Sequence, residues 1–336
     1  MPEDFPQHPN LERTGEEAAK ELLLLVGHGR TAEVRSLLLE APHLVNAAGP
    51  HPFWGGRPQP LHVSIETGRQ EIFDLLLAAG ADVRGSNDQY EHWSPLMLAI
   101  HRHRDSMRDQ LLRRGAPAGL VEALMLGDDR LTEELLRSGA PGLPSCVPGA
   151  GSILKFARTP FAIDRLLELG VPADLPDRWG TTPAQAISRL GETGRLLLSR
   201  LLVHGVPVSP TELARTGDLA ALASLIEAKP DMAVSEDVTI AAVESGNVEL
   251  VRWLIARGAN VNSRSSEPSQ HTALHAAAWN GNLAMARLLA EAGADLNLRD
   301  KEHNGTAQDW ADAAITIRND PKCAEVAAYL GSRRDR

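Results

Sequence analysis

The densest group of side chains able to do chemistry is Tyr90-Glu91-His92-Trp93 followed by His101-Arg102-His103-Arg104-Asp105. His101 and Asp105 are four apart, a spacing that puts both on one helix face and would let the carboxylate orient the imidazole as a general base. His101 and His103 are two apart and diverge on a helix, which is poor geometry for a shared metal. No HExxH pair and no CxxC occurs, so no zinc site is implied. A GxxxxGK phosphate loop and a GxSxG nucleophile elbow are also missing. Gly149-Ala150-Gly151 starts like a dinucleotide fingerprint, but Leu154 stands where the third glycine belongs and no strand precedes it. Nothing beside Cys146 in sequence would lower its pKa. The expectation is a chain with no metal and no cofactor, whose His/Arg group faces solvent or a partner.

What must position such residues follows from composition. The 336 residues are 43% hydrophobic but only 4% aromatic, so Leu and Ala carry the burial, which suits closely packed short helices. A net charge of −10 and a pI near 5.7 argue against nucleic acid, whose binders show a basic face. Cys146 and Cys323 lie far apart, which excludes a disulfide framework and fits a reducing compartment. The polar, proline-containing start lacks the basic-then-apolar order of a signal peptide. LLLLV at 22–26 is far short of the ~20 apolar residues of a membrane span. These features lead us to expect a cytoplasmic chain, off the membrane and monomeric.

The clearest element is His271–Asp300. Thr272 opens a short helical run, Ala273 to Trp279, that turns at Asn280-Gly281. A second run, Leu283 to Glu291, presents Leu283, Ala286, Leu288 and Leu289 on one face and stops at Gly293, a left-handed C-cap position. Helices of roughly 8–10 residues are unstable alone in water, so the unit needs neighbours. It has them. Helix–turn–helix units recur at 16–40, 60–83, 94–117, 119–141, 153–172, 181–207, 211–230, 238–262, 271–300 and 304–332. His103 replaces the turn glycine in the third copy, and the sixth has about two extra residues in its turn. Closing glycines fall at 80, 115, 139, 170, 205, 258 and 293, with steps of 35 in three places, which signals a solenoid.

These residues resemble ankyrin repeats. The opening motif of that family, TPLHxA, appears as Thr272-Ala273-Leu274-His275-Ala276-Ala277, Gln59-Pro60-Leu61-His62-Val63-Ser64 and Thr182-Pro183-Ala184-Gln185-Ala186-Ile187. Its closing motif appears as Gly258-Ala259-Asn260-Val261-Asn262 and Gly293-Ala294-Asp295-Leu296-Asn297. The resemblance covers 16–332 as one domain of nine or ten units, is degenerate at 119–172 and 208–230, and leaves 1–15 and 333–336 as tails. It implies an all-α solenoid of stacked helix pairs with protruding β-turn loops, acting as a non-catalytic scaffold for a protein or peptide. His62 and His275 would then hydrogen-bond backbone between loops.

In such a unit the residues just before the inter-helix turn face a concave groove. Read along the chain they include Glu66, His101, Arg102, Met125, Phe156, Arg189, Arg215, Glu244, Trp279 and Asn280. The middle is apolar and the flanks charged, the ordinary anatomy of a binding patch; alternatively Met125 and Phe156 are core in degenerate repeats. Trp54, Tyr90, Trp93, Trp179 and Trp279 stand in loops or at groove positions, and Trp and Arg are favoured at interface hot spots. The candidate partner-binding set is Trp54, Tyr90, Trp93, His101, Arg102, Met125, Phe156, Trp179, Arg189, Trp279 and Asn280. Trp253 and Trp310 sit at structural positions. The alternative is an enzyme or small-ligand binder, with a pocket built from the irregular central repeats and the group at 92–105.

Overall fold

The computed structural model describes residues 15–53, 55–85, 93–138, 146–147, 151–228, 236–318 and 320–334. The chain divides into two compact units, Met1–Arg158 and Thr159–Arg336.

The first unit contains α1 (Gly15–His28), α2 (Thr31–Glu40), a 3-10 turn (Pro42–Asn46), α3 (Pro60–Glu66), α4 (Gln70–Ala78), α5 (Pro95–His101), α6 (Asp105–Arg113), α7 (Leu120–Leu126) and α8 (Asp129–Arg137). A two-residue antiparallel pair, Cys146–Val147 with Gly151–Ser152, leads to a second 3-10 turn, Ile153–Phe156. Each first helix packs on its own second helix and on the next first helix, giving the row α1, α3, α5, α7. The core is Leu-rich, with Leu22, Leu61, Leu76, Leu96 and Leu111 fully buried around Phe73.

The second unit contains α9 (Pro160–Glu168), α10 (Pro183–Ser188), α11 (Gly191–Val203), α12 (Pro210–Arg215), α13 (Leu219–Ala228), α14 (Glu236–Glu244), α15 (Val248–Ala256), α16 (Ala273–Trp279), α17 (Leu283–Glu291), α18 (Ala307–Arg318) and α19 (Lys322–Arg334). Its first helices form the row α10, α12, α14, α16, α18.

Caps explain where these short helices begin. Ser94, Thr159, Thr182 and Ser209 accept a backbone N–H from the first turn with a side-chain oxygen, and proline follows each of them at the first helical position. Second helices use Asp128, Asn247 and Asn282 in the same way. Between the helices of a pair the chain must pass through a left-handed conformation. Gly281 supplies it at φ +63°, and a Cβ there would lie 2.9 Å from Lys322 Cβ. His103, the residue that replaces this glycine in the third repeat, takes the same region at φ 53°. The two extra residues of the sixth repeat are absorbed as helix, since α11 runs 13 residues where α15 and α17 run 9. In the fifth repeat the degenerate first helix shrinks to the 3-10 turn Ile153–Phe156.

Candidate functional site

In the first unit the expected site does not assemble. His101 ends α5 and Asp105 begins α6, with the chain turning through His103 between them, so the two do not share a helix face. Asp105 is bonded instead to Arg108 at 2.6 Å. His101 rests against Trp93, ring centroids 5.0 Å apart, and Trp93 meets Phe156 edge-on at 6.4 Å. Withdrawal of the His101 ring from water, then the charges of Arg102 and Arg158, hold it below the ordinary histidine range. Met125 and Phe156 are buried, at 6% and 5% exposure, so the expected apolar centre of a groove is core. The 3-10 geometry at 153–156 replaces the helix that would have presented Phe156 outward. Trp93 is half-buried against the same core, so it is not a free loop contact. Arg102 remains exposed and reaches Glu66 at 3.2 Å. Glu66 is itself almost buried and accepts from His51 Nε2 at 2.7 Å. His51 comes from the Gly/Pro-rich loop at 46–58 and carried no signal in sequence, because its partner is fixed only by the loop's path. Trp54 and Tyr90 lie outside the described residues.

The second unit brings its polar residues together. A groove of about 730 Å³ is lined by Arg189, Arg215, Glu244, Glu267, His271, Trp279, Asn280, Glu302, His303 and Trp310, among others. An adjoining cavity of about 480 Å³ shares Arg189, Arg215, Glu244, Glu267 and His271 and extends to Trp179. Arg189, Arg215, Glu244 and Trp279 come from the ends of successive first helices, while Glu267, His271, Glu302 and His303 come from the long connections between repeats. Of the expected residues, Trp179, Arg189, Trp279 and Asn280 therefore line one continuous surface. Trp179 is 65% exposed with the Arg178 guanidinium 4.3 Å above its ring, and Arg189 and Asn280 are exposed.

Trp310, which the sequence places only as a structural residue, forms the centre of an aromatic cluster. Its ring lies 5.3 Å from His271, 5.3 Å from His275 and 6.0 Å from Trp279, the last at 74°. Its Nε1–H donates to Asp300 Oδ2 at 3.0 Å. Asp300 also accepts backbone N–H groups of Glu302, His303 and Gly305 at 3.0, 2.7 and 2.8 Å. Burial pushes its carboxyl up, but these four donors outweigh burial and hold it well below the usual carboxylate range. The loop at 300–305 is thus wound around one ionised carboxylate, which also fixes the indole. His275 is locked the same way: Nδ1 accepts the Thr272 N–H at 3.2 Å, and Nε2–H donates to the Gly305 carbonyl at 3.0 Å. His62 makes the equivalent bond to the Trp93 carbonyl at 2.9 Å in the first unit. Both opening-motif histidines therefore tie one repeat to the next, as expected.

One array resembles a hydrolytic triad in composition. Ser269 and Ser265 hydroxyls lie 2.9 and 3.1 Å from His271 Nδ1, and Glu244 lies 4.0 Å from Nε2. Burial lowers the His271 pKa, against the opposing pull of Glu267 and Asp300. Both hydroxyls are buried, the carboxylate is beyond hydrogen-bond distance, and Glu244 is ion-paired to Arg215. The hydroxyls orient the ring; no relay is formed.

Residues 211–300 match the family model for ankyrin repeats, in three copies. Those residues carry ankyrin repeats. No curated protein matches the chain. The matched ankyrin repeats hold Arg215, Glu244, Glu267, His271, Trp279 and Asn280, so most of the groove belongs to the segment where the family is recognised. Ankyrin repeats are in general protein-interaction modules and typically non-catalytic. Among the described residues no helix is long and apolar enough to cross a membrane.

Proposed function

We propose that the ankyrin repeats of the second unit bind an extended segment of another protein along the row α10, α12, α14, α16, with Trp179, Arg189, Trp279 and Asn280 as contacts. The observation that carries this reading is the continuity of the two cavities, which share one floor of helix-end residues and reach from Trp179 to Trp310. A half-buried tryptophan pair beside exposed polar groups is the composition of an interface hot spot and its rim. A catalytic reading of residues 92–105 has no such support, since His101 and Asp105 do not meet.

The test is site-specific photo-cross-linking in the native host. A photo-reactive side chain at position 280 should capture a discrete protein that the same group at position 252, on α15, does not. Trp279→Ala should abolish the capture. Identical products from both positions would sink the proposal.

A further inference from the structure

Arg158, in the first unit, directly follows Ala157 at the end of the 3-10 turn Ile153–Phe156 and is half-buried. Its Nη1 donates to the Lys155 and Ala157 carbonyls at 3.1 and 2.9 Å, which fixes the guanidinium against the turn. Among the described residues no carboxylate pairs with it. Burial holds it below the ordinary arginine range, and no neighbouring anion opposes that shift. A guanidinium withdrawn from water without a counter-charge is costly, and such groups in proteins are ordinarily paired. Nε and Nη2 form the edge that meets a carboxylate with two parallel bonds. Among the described residues this edge makes no hydrogen bond, and neither atom is buried. The edge is thus held in place and open to water.

Its surroundings are positive, although the chain as a whole carries −10. Trp93 links the turn to the end of α5, its ring 6.4 Å from Phe156 and 5.0 Å from His101. Lys155 Nζ lies 5.3 Å from the same Phe156 ring. His101 and Arg102 are both exposed. The positive charges of Arg102, Arg158 and His103 all disfavour protonation of His101, against the weaker pull of Glu66. Carboxylates on the neighbouring helices are already engaged. Glu66 holds His51 and Arg102, Glu122 accepts from Ser94 Oγ and the Gly119 N–H at 2.8 and 3.0 Å, and Asp105 holds Arg108. Since Glu66 balances Arg102 and His101 is neutral at pH 7, Arg158 carries the one uncompensated charge of the three. That charge matches a carboxylate better than a dianionic phosphate.

We infer that Arg158, with His101 and Arg102 beside it, receives a carboxylate from an acidic segment of another protein. The carboxylate forks onto Nε and Nη2, where it supplies the counter-charge that the half-buried guanidinium lacks. An arriving anion also favours the imidazolium form of His101, so that ring takes up a proton and adds a second charge to the site. The site belongs to the first unit and does not rest on the groove-binding reading of the second.

The experiment uses the full chain and fluorescein-labelled Gly/Ser peptides carrying glutamate, glutamine, lysine or phosphoserine at matched positions, read by fluorescence anisotropy. The glutamate peptide should bind most tightly, against the general repulsion of an acidic chain. Arg158→Gln should weaken it about tenfold, as expected for losing one charge-assisted contact. Arg252→Gln makes the same change of net charge at an exposed position on α15 and should change binding less than about twofold. Binding should also tighten as pH falls from about 7.5 to about 6, because the bound carboxylate favours protonated His101. His101→Gln should reduce that tightening, and His43→Gln, also exposed in the first unit, should not. His101 is exposed at a helix end, so its variant decides the matter even where thermal melts show Arg158→Gln to be unfolded. Equal effects within either pair of variants would overturn the site, and so would a preference for the lysine peptide. Tighter binding of the phosphoserine peptide would overturn the assignment to a carboxylate. Absence of binding by every peptide overturns the site as well, while the groove of the second unit is judged separately by the cross-link at position 280.

Discussion

The two units place chemically similar residues at similar positions and arrive at opposite results. In the first, Met125 and Phe156 are buried, Trp93 meets Phe156 edge-on, His101 rests exposed against Trp93, and the one carboxylate at a groove position, Glu66, is consumed by His51 and Arg102. In the second, Arg215, Glu244, Trp279 and Asn280 occupy the corresponding helix ends and line a cavity. Two physical causes separate them. Met125 and Phe156 are apolar, so folding over them removes surface from water at no polar cost. Arg215 and Glu244 can leave water only as a pair, and stay half-exposed where the pair can keep some hydration. The second cause is the connections. Residues 263–271 and 300–305 carry their own hydrogen-bonded frameworks, anchored on His271 and Asp300, and bring Glu267, His271 and Glu302 to the groove.

The sharpest way to break this contrast is at Glu66. It accepts from buried His51 and pairs with Arg102, so Glu66→Ala removes the acceptor from a buried donor. The expected loss of stability is about 3 kcal/mol or more, the range for breaking a buried pair. Urea unfolding of the intact chain measures it. A loss below about 1 kcal/mol would mean that the first unit's carboxylate is as loosely held as those of the groove, and the contrast would fail.

The tryptophans give the next largest effect. Trp93 packs on the first unit's core and on Phe156, so Trp93→Ala should cost about 2 kcal/mol and leave cross-linking at position 280 unchanged. Trp279 meets Trp310 edge-on at the wall of a cavity, so Trp279→Ala should cost about 1 kcal/mol and abolish partner capture. Thermal melts of both variants beside the capture experiment decide the matter. Equal stability losses with no change in capture would make Trp279 a core residue like Trp93.

How far these differences were readable in the sequence depends on which interactions carry them. Local ones were legible. The Leu and Ala spacing, the Gly281 and Gly293 turns, and the substitution of His103 for a turn glycine all depend on residues within one repeat, and each appears in the structure as expected. His62 and His275 were legible because their bonds recur with the repeat. The placement of Arg189, Trp279 and Asn280 at helix ends beside the groove follows from the same repeat periodicity. What could not be read was the path of the connections. Glu267, His271 and Glu302 reach the groove only because loops of irregular length return there, and Trp310 reaches it because Asp300 holds its indole. The register at 153–156 was hidden too, since four residues without helical periodicity give no face to assign.

The smallest effect tests the feature the two units share. His62 is fully buried, and burial pushes its pKa down to about 4, partly opposed by the Trp93 carbonyl and Glu66. The folded state therefore prefers neutral His62, while the unfolded chain titrates near the ordinary histidine value of about 6.5. Its contribution is complete above about pH 6.5 and is lost progressively as pH falls from there toward 4. Between pH 7 and 5.5 the loss from this residue is about 1 kcal/mol. His275 is shifted in the same direction by burial and acts with the same sign in the second unit. His62→Gln should flatten the stability-versus-pH profile by about 1 kcal/mol over this interval, whatever its cost at neutral pH. His275→Gln should flatten it too. If only one of the two variants does so, the repeat-to-repeat histidine bond is not a common element of both units, and the acid sensitivity of the chain belongs to one of them alone.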